Sequence, residues 1–275
     1  MKPTNSERHD RIPNLSHSRL QKYITCPEQY RLYYLERLRP KREAAARVFG
    51  AVMHLALEEY FRKERDPLAT FRTEWNGCRE FELRYSQRES WQKLSEIGEA
   101  LLGKFLAEEA RKFEQIFAVE AQFHIGVSNV AAPLIGTLDL IAQLEGKKTL
   151  VEFKTGANDW GEHDVLLSDQ LTIYGLAEPE VEQTAICVFV KKRVPEIVWH
   201  FTERTPGQQV EYLRKLEILS QHIADHVFYK RVGFWCRQCE FLPVCTGNEK
   251  KAKETLVRLP TVRGETPCMI EGGDL

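Results

Sequence analysis

The chain has 275 residues, a mass of 32.0 kDa and a formal net charge of −1. Its 43% apolar and 29% charged side chains are the balance of a globular protein long enough to bury a full core. The near-zero charge excludes binding of polyanions by overall electrostatics, so any phosphate-binding surface must be a local patch. No apolar run approaches the roughly 20 residues that span a bilayer, and Met1-Lys2-Pro3-Thr4-Asn5 lacks an apolar leader. The expected setting is therefore cytoplasmic and reducing, without a membrane partner, and disulfides are not expected among the seven cysteines.

Residues 1–14 are polar and read as a flexible lead-in. Ser16 or Ser18 is placed to cap a helix. Leu20, Tyr23, Ile24, Tyr30, Tyr34 and Leu38 then form a broadly helical stripe, with Pro27 restarting the helix at a first-turn position and Cys26 at the break. The basic run Arg37, Arg39, Lys41, Arg42 and Arg47 reads either as a solvated helix end or as a phosphate-contacting patch. Residues 44–63 give the clearest helix, with Val48, Phe49, Val52, Leu55, Leu57, Tyr60 and Phe61 at helical spacing. His54 lies inside it, one turn after Gly50, whose missing side chain lets another group approach that face. Residues 66–118 read as largely helical, with an amphipathic run from Ile97 to Phe117, and 64–116 is expected as a helical insertion. Ala118–Ile125 alternates as a strand, on which Glu120 is either an extra acidic ligand or a rim residue.

Two strand-like runs follow, Ala132–Leu144 and Thr149–Phe153, separated by the polar turn Glu145-Gly146-Lys147-Lys148. They should pair as an antiparallel hairpin, bringing Asp139 of the first beside the end of the second. Glu152 and Lys154 are two apart and share a strand face. They interrupt an apolar strand, and buried charge is costly unless paired or bound to metal. Two carboxylates suit a hard cation such as Mg²⁺ or Mn²⁺, and a neighbouring lysine can orient or deprotonate a water. After a surface loop at 159–164, Ser168-Asp169 starts a helix that sets Gln170 and Tyr174 on one face. Strands at 183–192 and 196–201 and an amphipathic helix at 206–228 complete the pattern. The charged stretch 247–275, with Pro260 and Pro267, reads as a loosely ordered tail.

Cys236, Cys239 and Cys245 form a C-x₂-C-x₅-C array, which in a reducing compartment points to metal or cluster ligation. Three thiolates want a fourth. Cys78 and Cys187 lie in helix and strand interiors and Cys268 in the tail, whereas Cys26 sits at a helix break. Ligation by Cys26 would close a loop of about 210 residues, worth on the order of 4–5 kcal/mol of chain entropy, and would clasp the two ends.

The ordered set Gly50-x₃-His54, Gly136-x₂-Asp139, Glu152-x-Lys154 and Gln170-x₃-Tyr174 resembles the RecB-type branch of the PD-(D/E)XK nucleases. The cysteine frame, and the opening Leu15-Ser16-x-Ser18-x₂-Gln21-x-Tyr23-x₂-Cys26-Pro27-x₂-Tyr30, are similar to its iron–sulphur members. Those are the AddB-type helicase-nuclease domain and the stand-alone CRISPR-associated RecB-like exonucleases. The resemblance runs over residues 15–246. It implies an α/β, restriction-endonuclease-like mixed β-sheet flanked by helices, with an iron–sulphur lobe formed by both chain ends (15–43 and 229–246). It implies His54, Asp139, Glu152 and the Phe153 carbonyl as ligands of Mg²⁺ or Mn²⁺. Lys154 would position the attacking water, and Gln170 and Tyr174 would hold substrate or Lys154. Cys26, Cys236, Cys239 and Cys245 would hold a [4Fe-4S] cluster, with zinc as the other candidate metal. The implied activity is that of a DNA exonuclease on single-stranded ends, with a helicase or a CRISPR integrase as partner. The alternative is a non-catalytic DNA-binding or scaffold subunit of a recombination or CRISPR-adaptation complex.

Overall fold

The computed structural model describes residues 13–260, so most of the expected lead-in and the tail beyond 260 lie outside the described residues. Ser16 caps α1 (His17–Thr25), its hydroxyl accepting from the Arg19 N–H. Pro27 opens α2 (Pro27–Tyr30) where its missing N–H has no helical partner to lose, and a wider π-type turn (Arg31–Leu35) follows. The helical stripe expected to reach Leu38 stops sooner. Arg37 takes a left-handed φ of 56°, and Leu38–Pro40 is a short strand, β1. The long helix appears as α3 (Ala45–Lys63), followed by α4 (Pro67–Gly77) under an Asp66 cap and α5 (Trp91–Lys104) under a Ser90 cap.

The helical reading of 66–118 overshoots at its end, because β2 (Phe113–Ile125) begins at Phe113. Phe113, Ile116 and Phe117 fit a helical period, but aromatic and β-branched side chains favour a pleated surface, and the chain tightens through a 3₁₀ turn at Ala110–Lys112 before entering the strand. β3 (Leu134–Leu144) and β4 (Lys147–Gly156) form the expected hairpin, with Leu144 opposite Lys147. Its turn is only Glu145-Gly146, both at positive φ (51° and 76°), the two-residue geometry that matches strand twist.

Part of the expected 159–164 loop is a short helix, α6 (Glu162–Leu166). Ser168 caps α7 (Asp169–Ala177), and β5 (Gln183–Val190), β6 (Glu196–Thr202) and α8 (Pro206–Ala224) follow. The chain continues through α9 (Leu242–Cys245), α10 (Glu249–Thr255) and β7 (Leu256–Arg258). Residues 249–258, expected within a loose tail, are thus ordered. β7 pairs antiparallel with β1, and Leu256 is buried with Leu32 and Phe241. Composition alone could not show that partner.

The main sheet has the order β2-β3-β4-β5-β6, antiparallel at β3–β4 and β5–β6 but parallel at β4–β5. It is a mixed sheet, as expected, and the parallel pair is reached by the α6–α7 crossover. Ala185–Val190 is buried throughout, as a central strand covered on both faces requires. Among the described residues no helix is long and apolar enough to cross a membrane.

The described residues divide into two compact units, one of 13–42, 124–136 and 213–260, the other of 43–123 and 137–212. The expected lobe, 15–43 and 229–246, falls almost wholly in the first, which also takes in 124–136 and 213–228. In the second, α3, α4 and the π-type turn that follows α5 (Phe105–Glu109) pack Phe49, Phe71, Trp75 and Phe105 against Phe153 and Phe189 of the sheet. The basic run is largely committed to local bonds. Arg39 lies 3.4 Å over the Tyr33 ring, Lys41 donates to the Lys253 carbonyl and Arg47 pairs with Glu43.

Candidate metal centre

The site is built at the point where the β3–β4 ladder gives way to side chains. The paired register runs to Leu140 opposite Val151. Just beyond it, Asp139 Oδ2 accepts the Phe153 N–H at 2.8 Å and faces His54 Nδ1 at 3.5 Å. Asp139 is 8% exposed, so its charge is screened little by solvent. His54 comes from the middle of α3, with Gly50 buried one turn before it. Its Nε2 is buried with no hydrogen-bond partner.

The third member is Glu120. At φ 49° it interrupts β2 with a left-handed residue, a conformation that costs a side-chain-bearing residue about 1–2 kcal/mol and re-aims it out of the strand alternation. His54, Glu120 and Asp139 offer ligand atoms that all lie within 4.8 Å of one another, the one such triad among the described residues. The sequence left Glu120 between ligand and rim, and the structure brings it to the His54–Asp139 pair.

Glu152 is placed differently. Its carboxylate is 1% exposed and lies outside that triad. Oε1 accepts from Lys154 Nζ at 2.7 Å and from Gln170 Nε2 at 2.9 Å, and Oε2 accepts from the Tyr174 hydroxyl at 2.8 Å. Gln170 and Tyr174 also bond each other at 2.8 Å. The two α7 residues therefore grip Glu152, which in turn holds Lys154. Phe153 contributes its N–H to Asp139.

Burial and crowding of charge set the protonation of these groups. Burial disfavours the His54 imidazolium, but the Asp139 carboxylate outweighs it and holds His54 up at about 9. Burial likewise opposes the Asp139 charge, yet His54 and the Phe153 N–H keep that carboxyl below its usual range. Burial and the neighbouring Asp139 push Glu120 to about 7, and burial, with Asp139, pushes Glu152 to about 7 against the pull of Lys154. Three carboxylates face two bases, a surplus that a divalent cation would neutralise.

The six described cysteines are free thiols. Cys26, Cys236, Cys239 and Cys245 all lie in the first unit. The segment 227–231 stitches the Cys26 turn in place: the Tyr23 hydroxyl donates to the Val227 carbonyl at 2.7 Å and the Glu28 N–H to that of Tyr229 at 3.1 Å. Arg231 donates back to the Ile24 carbonyl, and Lys230 to that of Cys245 at 2.8 Å. Burial pushes the Cys239 thiol up to about 11, with Cys245 and Cys26 adding to it, and raises Cys245, to which Cys26 and Cys236 contribute. No three of these sulfurs lie within 4.8 Å of one another.

A profile of the PD-(D/E)XK nuclease superfamily matches residues 14–246. Among solved structures, the chain is similar to a protein from Eubacterium rectale named as a candidate exonuclease, at 13% identity and a TM-score of 0.52, over 95% of this chain and 97% of that one. The structure of SSO0001 aligns at 14% identity and a TM-score of 0.38 over 84% of this chain and 93% of that one. Comparison with the curated proteins gives no match.

Proposed function

Since the chain belongs to the PD-(D/E)XK nuclease superfamily, we propose that it hydrolyses DNA phosphodiester bonds with Mg²⁺ or Mn²⁺, as an exonuclease on single-stranded ends. The observation that carries this reading is the convergence of His54, Glu120 and Asp139 within 4.8 Å, beside the buried Glu152–Lys154 pair. Carboxylates and an imidazole nitrogen with no other partner suit such a cation, and Glu152 would join them as a ligand or brace them. A bound cation supplies charge neutralisation at the scissile phosphate and a water of lowered pKa.

The side chains supply the rest. Asp139 is fixed by a backbone N–H that no rotamer change can remove, so its carboxylate is preorganised. Lys154, held at 2.7 Å by Glu152 and 4% exposed, is a fixed positive charge that would orient an attacking water and offset the charge developing on the phosphate. Gln170 and Tyr174 keep Glu152, and through it Lys154, from swinging.

We assign the four cysteines to a [4Fe-4S] cluster. What supports this assignment is the C-x₂-C-x₅-C array with Cys26 at a helix break and the hydrogen bonds by which residues 227–231 hold the Cys26 turn. Four thiolates suit such a cluster, with zinc as the other candidate.

Incubation of end-labelled single-stranded DNA with the intact protein and Mn²⁺ tests the activity. Release of short products, stopped by a chelator, is expected; intact DNA with either Mg²⁺ or Mn²⁺ overturns it. Proton linkage gives a second expectation. A metal must displace the proton from His54, at about 9, and at lower pH also those of Glu120 and Glu152, at about 7. Affinity for Mn²⁺ should therefore rise with pH, about tenfold per unit between 7 and 9 and more steeply below 7. Calorimetric titrations at several pH values read this directly, and a flat profile contradicts it.

A further inference from the structure

The net charge of −1 conceals an uneven partition. Among described residues the first unit holds 16 Lys and Arg against 7 Asp and Glu, and the second 19 against 28. A polyanion is therefore drawn to the first unit and repelled by the bulk of the second.

Within the first unit, residues 229–237 read Tyr-Lys-Arg-Val-Gly-Phe-Trp-Cys-Arg, and no acidic residue occurs between Asp225 and Glu240. Three large apolar side chains here face solvent: Tyr229 is 56% exposed, Val232 85% and Phe234 80%. The segment is nevertheless tightly built. Arg231 donates to the Ile24 and Thr25 carbonyls and stacks 4.5 Å from the Trp235 ring centre. Trp235 Nε1 donates back to the Arg231 carbonyl at 2.9 Å. The Trp235 ring lies so close over Gly233 that an added Cβ would meet it at 2.3 Å, so a side chain there would force the ring to move. The Phe234 ring packs edge-on to Trp235, with centroids 5.1 Å apart. A flexible loop could fold Phe234 inward, but this one is braced with the ring turned out.

We propose that residues 229–237 form a stacking platform for single-stranded nucleic acid, with Phe234 as the face on which a base stacks and Lys230, Arg231 and Arg237 offering charge to the backbone. Exposed aromatics interleaved with cations are the chemistry that holds single strands without reading sequence. Charge complementarity selects this occupant over a second copy of the chain, since a two-fold contact through this loop would set like charges against one another. The proposal draws on the nuclease reading only in choosing DNA as the strand.

The test measures binding without cleavage. The intact protein is titrated, with EDTA present, into a fluorescein-labelled oligothymidylate of about 15 nucleotides, and anisotropy is read. Phe234→Ala should weaken binding roughly tenfold, whereas Phe234→Trp retains it. An abasic strand of equal length and charge should bind the wild type no more tightly than the full strand binds Phe234→Ala. Because the side chain is exposed, thermal melting should be unchanged in both variants. Binding by Phe234→Ala within twofold of wild type overturns the proposal. So does a wild-type dimer, seen by light scattering, that Phe234→Ala dissociates without loss of DNA affinity, which would assign the patch to a copy of the chain. A protein that binds through Phe234 yet never cleaves overturns only the hydrolase reading, and one that cleaves with Phe234→Ala binding unchanged overturns only this one.

Discussion

Asp139→Asn is expected to remove DNA cleavage, by about a thousandfold or more, while leaving the fold intact. The substitution is isosteric, and the amide oxygen can still accept the Phe153 N–H that Asp139 Oδ2 takes at 2.8 Å. What disappears is the charge, and with it a ligand and the carboxylate that holds the His54 imidazolium up at about 9. The His54 ring should therefore titrate lower in the variant, which NMR can follow independently of activity. Cleavage by Asp139→Asn above a tenth of the wild-type rate would remove the metal site from the mechanism. Lys154→Met makes a poorer probe, although activity should fall as far. It leaves the Glu152 carboxylate, 1% exposed, without its cation, and breaking a buried pair costs about 3–5 kcal/mol. Pairing it with Glu152→Gln removes that penalty and separates lost chemistry from lost stability.

On the cluster assignment proposed above, Cys239→Ser should abolish iron binding and cost much of the stability. Cys239 and Cys245 pack against the small core of Leu32, Phe241 and Leu256, so ligation there ties the start of the chain to its end. Losing closure of a loop of about 210 residues is worth on the order of 4–5 kcal/mol, a fall in melting temperature of roughly 10 °C. Protein purified without oxygen should carry about four irons with matching sulfide per chain, and the variant almost none. Cys78→Ser, in the other unit, should change neither quantity. About one zinc per chain would replace the cluster by a zinc site and keep the clasp. A wild type free of metal and as stable as Cys239→Ser would remove both.

Much of the site was legible because its signals are local. Glu152 and Lys154 stand out as charges in an apolar strand, and a short polar turn with a glycine between two strand runs announces the hairpin. Ser168 as a cap and the four-residue spacing of Gln170 and Tyr174 placed both on one helix face. The resemblance has Gln170 and Tyr174 holding substrate or Lys154; that they bond Glu152 instead depends on how α7 crosses the sheet, which the sequence does not carry. Glu120 stayed ambiguous for a similar reason. An acid on a half-exposed strand is ordinary, and nothing in Val119-Glu120-Ala121 forecasts a positive φ at a glutamate. The strand at Phe113–Phe117 was hidden by apolar spacing that suits two periods. The α10–β7 segment was hidden because its stability comes from burying Leu256 on residues far away in the chain. The division of charge between the units was invisible in a total that nearly cancels.

The pairing of β1 with β7 also bears on how the chain is made. Leu38 lies opposite Arg258, so at about 5–20 residues per second the ribosome delivers the partner strand roughly 10–40 s after the first. Until then Leu32, 1% exposed in the finished protein, lacks the Leu256 that helps to bury it. The first unit is thus the last to be completed during translation, and its early apolar stretch is where a chaperone would take hold.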